Sequence, residues 1–169
     1  MPVATLRNWE QGRRPTARQA AICRGRGRPP GVDRYAMTTE LMVLAWGCVL
    51  GFLHIIVATQ AKTRQYGRKW NVGPRDEELP PPSPVVGRLM RAQANFFETF
   101  PMMIAAVAIV SLAGLTGKWT AIGALVWLVA RICYLPLYAM GVPIVRSLAW
   151  IAALVGIAMV LWPALAAAF

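Results

Sequence analysis

Four polar residues in the middle of the chain share one predicted helix face at the mouth of an apolar segment. They are Arg88, Arg91, Asn95 and Glu98. Residues three and four apart lie on the same side of a helix, and at roughly 100° per residue these four fall within an arc of about 80°. Residues 99–115, which follow, are almost wholly apolar. Because ionisable side chains at a membrane span usually turn toward a bundle interior, we interpret this stripe as a candidate functional site.

A second group of polar residues has the same character and comes from the next two apolar segments. Its members are Arg131, Tyr134, Tyr138, Arg146 and Ser147. The first three lie within an arc of about 60° on one helix, and the last two open the final apolar segment. In a bundle of alternating helices all of these positions reach the same end, where four arginines surround one carboxylate. Isolated charges are costly in a low dielectric and arginine forks suit carboxylates. We therefore expect an anionic ligand that carries carboxylates and one ammonium group.

Plainer interpretations exist for part of this pattern. The two arginines of the first stripe can extend to lipid headgroups, and the two tyrosines can belong to an interfacial aromatic belt. Asn95 and Glu98 are harder to explain as structural residues. Gln93 lies roughly opposite the first stripe, where a polar group should meet another protein surface rather than lipid. This position favours an oligomer with ligand sites between subunits.

The segments that position these residues are those of a membrane protein. The chain has 169 residues, of which 57% are hydrophobic, and its mean hydropathy is +0.47, as in small multi-span proteins. Four apolar segments can cross a hydrocarbon core of about 30 Å. They are predicted at about 41–61, 84–113, 119–138 and 143–163. Short turns between them favour an all-α up-down bundle of four transmembrane helices. The second segment exceeds the thickness of the core, so its first ten or so residues should project from the membrane.

The distribution of charge suggests an orientation in the membrane and bears on where the functional protein begins. Lysines and arginines concentrate in the 62–87 loop, which places that loop and the candidate site on the cytoplasmic side, in our interpretation of a bacterial inner membrane. Residues 1–36 hold eight arginines against Glu10 and Asp33, or +6 of the total +11. This segment is rich in arginine, glycine and proline and is predicted to be disordered. In the orientation just given it would lie on the non-cytoplasmic side, where the positive-inside rule does not expect eight arginines. We expect Met37 to be the functional start and 37–169 to be the membrane domain. The alternative is a real tail that is translocated or that forces another topology.

Several classes of partner are disfavoured by the same composition. The basic tail lacks the interleaved aromatic residues of a nucleic-acid-binding surface, so no nucleic-acid partner is expected. The three cysteines form no CxxC pair, so no metal site is expected. His54 stands alone in an apolar segment and is interpreted as a packed, hydrogen-bonded core residue.

The central motif resembles that of a known family. The string RAQANFFETFP at residues 91–101 is similar to the R-A-x-x-N-x-x-E-x-x-P signature of the MAPEG family. These are membrane-associated proteins of eicosanoid and glutathione metabolism, and they include microsomal glutathione transferases and leukotriene and prostaglandin E synthases. GPRDE at 73–77, the Arg131-x-x-Tyr134 pair and Pro143-x-x-Arg146-Ser147 agree with the resemblance. It covers about residues 38–165.

The resemblance implies a homotrimer of four-helix subunits that binds glutathione between neighbours. By residue match, the glutathione-binding positions are Arg88, Arg91, Gln93, Asn95, Glu98, Arg131, Tyr134, Tyr138 and Ser147, with Gln93 reaching a neighbour's site. Arg146 matches the arginine assigned to thiolate activation. Thr99 departs from the pattern, because some synthases have a ligand-contacting tyrosine after the glutamate.

The function expected on this basis is a glutathione-dependent transferase or peroxidase acting on lipophilic electrophiles, with glutathione as co-substrate and membrane lipids around the trimer. A free thiol has a pKa of about 8.5, which an adjacent guanidinium can lower. The first alternative is a non-catalytic lipid-binding or scaffold protein of the same fold. The second is a small transporter that uses Glu98 as a proton-coupled carboxylate, which four nearby arginines disfavour because they oppose cation binding.

Overall fold

Residues 37–167 are described by the computed structural model, and their secondary structure is entirely helical. The helices in this range are α1 (Thr39–Tyr66), α2 (Arg68–Val72), α3 (Pro84–Leu112), α4 (Lys118–Met140) and α5 (Pro143–Ala166). All except α2 are long and apolar enough to cross a membrane. The expected all-α fold with four membrane spans is therefore confirmed. The expectations on residues 1–36, their disorder and the start at Met37, lie outside the described residues.

Helix starts agree better with the sequence-based boundaries than helix ends. Pro84 and Pro143 occupy the first helical positions of α3 and α5, as predicted, because proline's fixed φ suits that position and its missing N–H is not needed there. By contrast, α1 continues beyond the predicted end near residue 61 to Tyr66. The polar residues there include good helix formers such as lysine, arginine and glutamine. The helix ends where Gly67 adopts a φ of 89°, which is open to glycine at little cost.

The loop between α1 and α3 folds back onto the end of α1. The Tyr66 hydroxyl donates to the Pro80 carbonyl at 3.0 Å, and the Gln65 side chain donates to the Pro81 carbonyl at 3.2 Å. Ser83 holds the N-cap position of α3 as expected, but its hydroxyl makes no capping bond. Its main-chain N–H instead donates to Gln65 Oε1 at 2.9 Å. The short helix α2 within this loop was not predicted, since its five residues are too few to show a helical period.

Two contacts show that α1, α3 and α4 alternate in direction. At one end, the hydroxyl of Thr120 near the start of α4 donates at 2.5 Å to the buried carboxylate of Glu40 at the start of α1. At the other end, the Arg88 guanidinium near the start of α3 lies beside Gly141, which closes α4. Sequence reasoning missed the Glu40–Thr120 contact. Its available signal was a single carboxylate in the first turn of an apolar span, a position that requires a hydrogen-bond partner.

Aromatic side chains fill the core between α1, α3 and α4. The rings of Phe100 and Trp127 stack with centroids 5.6 Å apart, and His54 stacks on Phe96 at 4.5 Å. His54 is almost fully buried, with its Nδ1 2.8 Å from the Leu50 carbonyl oxygen. The interpretation of His54 as a packed core residue is confirmed.

Helices α4 and α5 approach each other through two glycines. A Cβ added to Gly156 would lie 2.6 Å from the carbonyl oxygen of Gly123, and one added to Gly123 would lie 2.9 Å from the carbonyl oxygen of Gly156. Both distances are shorter than a carbon–oxygen contact allows, so only hydrogen fits at either position. This close approach fixes how α4 is seated against α5, the two helices that supply most of the candidate site.

Candidate functional site

A cleft of about 190 Å³ opens at the end of the bundle where α3 and α5 begin and α4 ends. It is lined by Asn95, Tyr134, Tyr138, Arg146, Ser147 and Trp150. All except Trp150 were candidate residues from the sequence, and the structure brings them together from three helices. Trp150 was missed, although it stands one helical turn beyond Arg146, a spacing that places the two on one helix face.

One wall of the cleft is built from tyrosines and an arginine. The rings of Tyr134 and Tyr138 lie 5.3 Å apart, centroid to centroid. The guanidinium carbon of Arg146, which is half-buried, lies 4.5 Å from the centroid of the Tyr138 ring. A cation above an aromatic face at this distance is attracted by the ring. The Tyr138 ring therefore holds the Arg146 charge at the cleft.

Arg131 lies one layer behind this wall. Its side chain is completely buried, and it does not line the cleft. Its Nη1 donates to Asn95 Oδ1 at 2.9 Å, its Nη2 donates to Thr99 Oγ1 at 2.6 Å, and its guanidinium carbon lies 5.4 Å from the Tyr134 ring centroid. The expectation that Arg131 takes part in ligand binding stays a prediction.

Thr99 also turns away from the cleft. Its side chain is buried, and its hydroxyl is within donating distance of the main-chain carbonyls of Asn95 and Phe96, at 3.1 and 3.2 Å. Because the hydroxyl hydrogen points to these carbonyls, the Thr99 oxygen is free to accept a hydrogen bond from Arg131. The residue that stands where some synthases have a ligand-contacting tyrosine thus belongs to the interior network of α3 and α4.

The remaining sequence candidates lie around the cleft rather than in it. Arg88 is half-buried, and its guanidinium lies beside Gly141 at the end of α4, where an added Cβ would lie 2.8 Å from Nη1. Arg91 and Glu98 are exposed along one edge of α3, and Gln93 is half-buried on its other side. The structure of one subunit does not bring these three side chains to the cleft.

The site as a whole carries an excess of positive charge. The polar faces of α3 and α4 and the start of α5 together hold four arginines and one glutamate. Within residues 37–167 none of these five side chains forms a salt bridge. In the low dielectric of a membrane such charges are stabilised by opposite charge and by hydrogen-bond partners. An anion with carboxylate groups would supply both.

Four apolar helices with a polar, cationic cleft at one end define an integral membrane protein with a candidate ligand site at one end of its helix bundle. A protein-family model described as the MAPEG family matches residues 43–166, and the chain belongs to that family. It is therefore a membrane protein related to glutathione and eicosanoid metabolism. No curated protein matches the chain.

Proposed function

We propose that this protein is a glutathione-dependent transferase or peroxidase that acts on lipophilic electrophiles. The observation that carries the proposal is the Arg146 guanidinium, held over Tyr138 at a cleft that Asn95 and Tyr134 also line. Membership of the MAPEG family supports glutathione as the thiol. The lysines and arginines at the end of α1 and between α1 and α3 support a cytoplasmic location for the cleft.

Glutathione has the groups that this surface needs. Its two carboxylates suit arginine forks, which bind carboxylates through two parallel hydrogen bonds. Its ammonium group suits a carboxylate, and Glu98 is the acid of the two polar stripes. Because Arg91, Gln93 and Glu98 lie away from the cleft of their own subunit, the complete site is proposed to form between neighbouring subunits of a homotrimer.

Arg146 is proposed to promote loss of the thiol proton. A guanidinium beside a thiol stabilises the thiolate and lowers the thiol pKa from about 8.5, and the amino-terminal dipole of α5 adds positive potential in the same place. In group transfer, the sulfur forms a bond to the electrophilic carbon while the displaced group leaves with its electron pair. With a hydroperoxide, the sulfur takes one oxygen and the other departs as the alcohol. A second glutathione then reduces the sulfenic product to the disulfide and water.

A direct experiment uses the full chain purified in mild detergent. Calorimetry measures glutathione binding, thiolate absorbance against pH measures the pKa of the bound thiol, and an aryl halide serves as a generic electrophile for turnover. We expect binding, a thiolate signal near neutral pH, and turnover. A matched control is Lys118→Ala, at the opposite end of the bundle, which should change none of the three. Binding without any thiolate at saturating glutathione would exclude the catalytic proposal.

A second candidate function, non-catalytic lipid binding, is supported by an apolar groove on the outer side of α4 and α5. The groove has a volume of about 700 Å³, and Val129, Cys133 and Leu148 are among its lining residues. A protein with this function would take up lipid at the groove but would show neither thiolate formation nor turnover in the same experiment.

A further inference from the structure

We infer that Arg131 is a positioning residue, which fixes the side-chain amide of Asn95 so that its NH₂ group is presented to the ligand. The inference rests on the proposed function only for the identity of the ligand, glutathione. It assigns to Arg131 a role exercised through Asn95 instead of through its own contact with the ligand.

The position of Arg131 argues against direct contact. Its side chain has no exposed surface, and it does not line the cleft, whereas its neighbours Asn95 and Tyr134 do. Both of its terminal nitrogens already donate, one to Asn95 and one to Thr99. Moving the guanidinium toward the cleft to reach a ligand would break both bonds, and loss of hydrogen bonds between buried groups is costly.

The chemistry of the two side chains determines which way the Asn95 amide points. A guanidinium has only donors, whereas an asparagine amide has one oxygen acceptor and one NH₂ with two donors. The atom of Asn95 that lies 2.9 Å from Arg131 Nη1 must therefore be the oxygen. Since Asn95 also lines the cleft, its NH₂ is the polar group left for a ligand. It would receive an acceptor such as a carboxylate or peptide carbonyl oxygen.

Thr99 provides the second attachment that keeps the guanidinium in place. Asn95 and Thr99 are four residues apart on α3 and so lie on one helix face. The planar fork of Arg131 spans both of them, which a lysine, with one charged nitrogen, could not reproduce in the same geometry. Loss of the Thr99 hydroxyl should release one arm of the fork and thereby loosen the Asn95 amide.

Another explanation is that Arg131 acts on the ligand only through its charge. The two explanations differ in the Thr99→Val variant, which removes the attachment but keeps the charge. They also differ in an Asn95→Ala background, where a positioning role has nothing left to position and a charge effect persists.

The first test is a set of double-mutant cycles on glutathione binding to the full chain. Thr99→Val should weaken binding by between about twofold and tenfold, the range of a net hydrogen bond, and Arg131→Met by at least as much. Thr99→Ser should recover most of the loss. In the Asn95→Ala background, neither Thr99→Val nor Arg131→Met should weaken binding further. Equal losses in both backgrounds would overturn the inference.

The second test does not depend on glutathione. The chain has three asparagines, Asn8, Asn71 and Asn95, so labelling asparagine with ¹⁵N gives three side-chain amide signals by nuclear magnetic resonance, and Asn95→Ala assigns the one of interest. We expect the Asn95 amide to be ordered in the wild type and mobile in Thr99→Val. Asn71, whose oxygen accepts from Arg75 at 3.1 Å, is the internal reference.

The outcomes of the two tests separate the two proposals. An Asn95 amide that is equally ordered in the wild type and in Thr99→Val overturns the positioning role, whether or not glutathione binds. Absence of glutathione binding to the wild type, with the expected change in amide mobility, instead counts against the proposed function alone. If Arg131→Met fails to fold, the near-isosteric Thr99→Val decides by itself.

Discussion

Glu98 is the acidic residue of the two polar stripes, yet it is exposed at the edge of α3 and, within residues 37–167, pairs with none of the arginines. An exposed carboxylate without a cationic partner is available to a ligand that brings a positive charge. In glutathione that charge is the ammonium group.

Substituting Glu98 by glutamine should therefore weaken glutathione binding by about 1.5–3 kcal/mol, the scale of a hydrogen bond to a charged group. Calorimetry on the purified protein measures the change. The matched control is a glutathione analogue that lacks the amino group, whose affinity should hardly depend on residue 98. Equal losses for both ligands would mean that Glu98 serves packing or orders the arginines.

Arg146→Ala should impair chemistry more than binding. The carboxylates would still meet other arginines, so affinity should fall modestly, whereas the thiol would lose its neighbouring positive charge. The pKa of bound glutathione should then rise toward the free value of about 8.5, and the rate should reach its plateau at higher pH than in the wild type. Thiolate absorbance and turnover, both followed against pH, check this. If pKa and turnover were both unchanged, Arg146 would have no part in the mechanism.

Sequence periodicity assigned the candidate residues to common helix faces but did not predict which of them line the cleft. Tyr134 and Arg131 belong to the same predicted helix face, and the structure places the first at the cleft and the second behind it. The difference depends on how far α4 is rotated against α3, which depends on packing across the whole core. Trp150 was missed for a related reason, because a tryptophan near a membrane surface is ordinarily assigned to the aromatic belt.

At the scale of the elements, the seating of α4 on α5 depends on Gly123 and Gly156. Gly156→Ala should lower the thermal unfolding temperature in detergent, because the added methyl would meet backbone atoms that have nowhere to move. Overpacking of this kind costs about 1–3 kcal/mol. Gly117→Ala is the matched control, since a Cβ there has no neighbour within 4 Å. A similar melting temperature for Gly156→Ala and the wild type would show that α4 and α5 separate easily.

The helices themselves were largely predictable, and the reason is physical. A bilayer requires each span to be long and apolar, and proline at the first turn specifies where α3 and α5 begin. The end of α1 and the existence of α2 were not predictable in this way. Outside the hydrocarbon no apolar run is required. There the path of the chain depends on local contacts, such as those of Gln65 and Tyr66 with the carbonyls of Pro81 and Pro80.

For the whole molecule, the division of site residues between a cleft and an exposed edge predicts an oligomer, and the family resemblance implies that this oligomer is a homotrimer. Native mass spectrometry in a mild detergent that preserves glutathione binding should show three copies of the chain. Gln93→Ala should weaken binding without changing the mass of the assembly, because this residue is proposed to reach a neighbour's site. A monomer that still binds glutathione would contradict the prediction.

The unequal lengths of the helices favour a position of the cleft at the boundary between water and the membrane hydrocarbon. Helices α1 and α3 have 28 and 29 residues, about 42 and 44 Å at 1.5 Å each, whereas α4 and α5 have 23 and 24. With a hydrocarbon core of about 30 Å, the end of α1 and the start of α3 can extend past the core on the side of the cleft. A water-soluble thiol and a membrane-dissolved electrophile could then meet without either changing solvent. The turnover rate should therefore follow the mole fraction of electrophile in the lipid, falling as inert phospholipid is added at constant total electrophile. For an electrophile that stays in water, the turnover rate should not change as phospholipid is added.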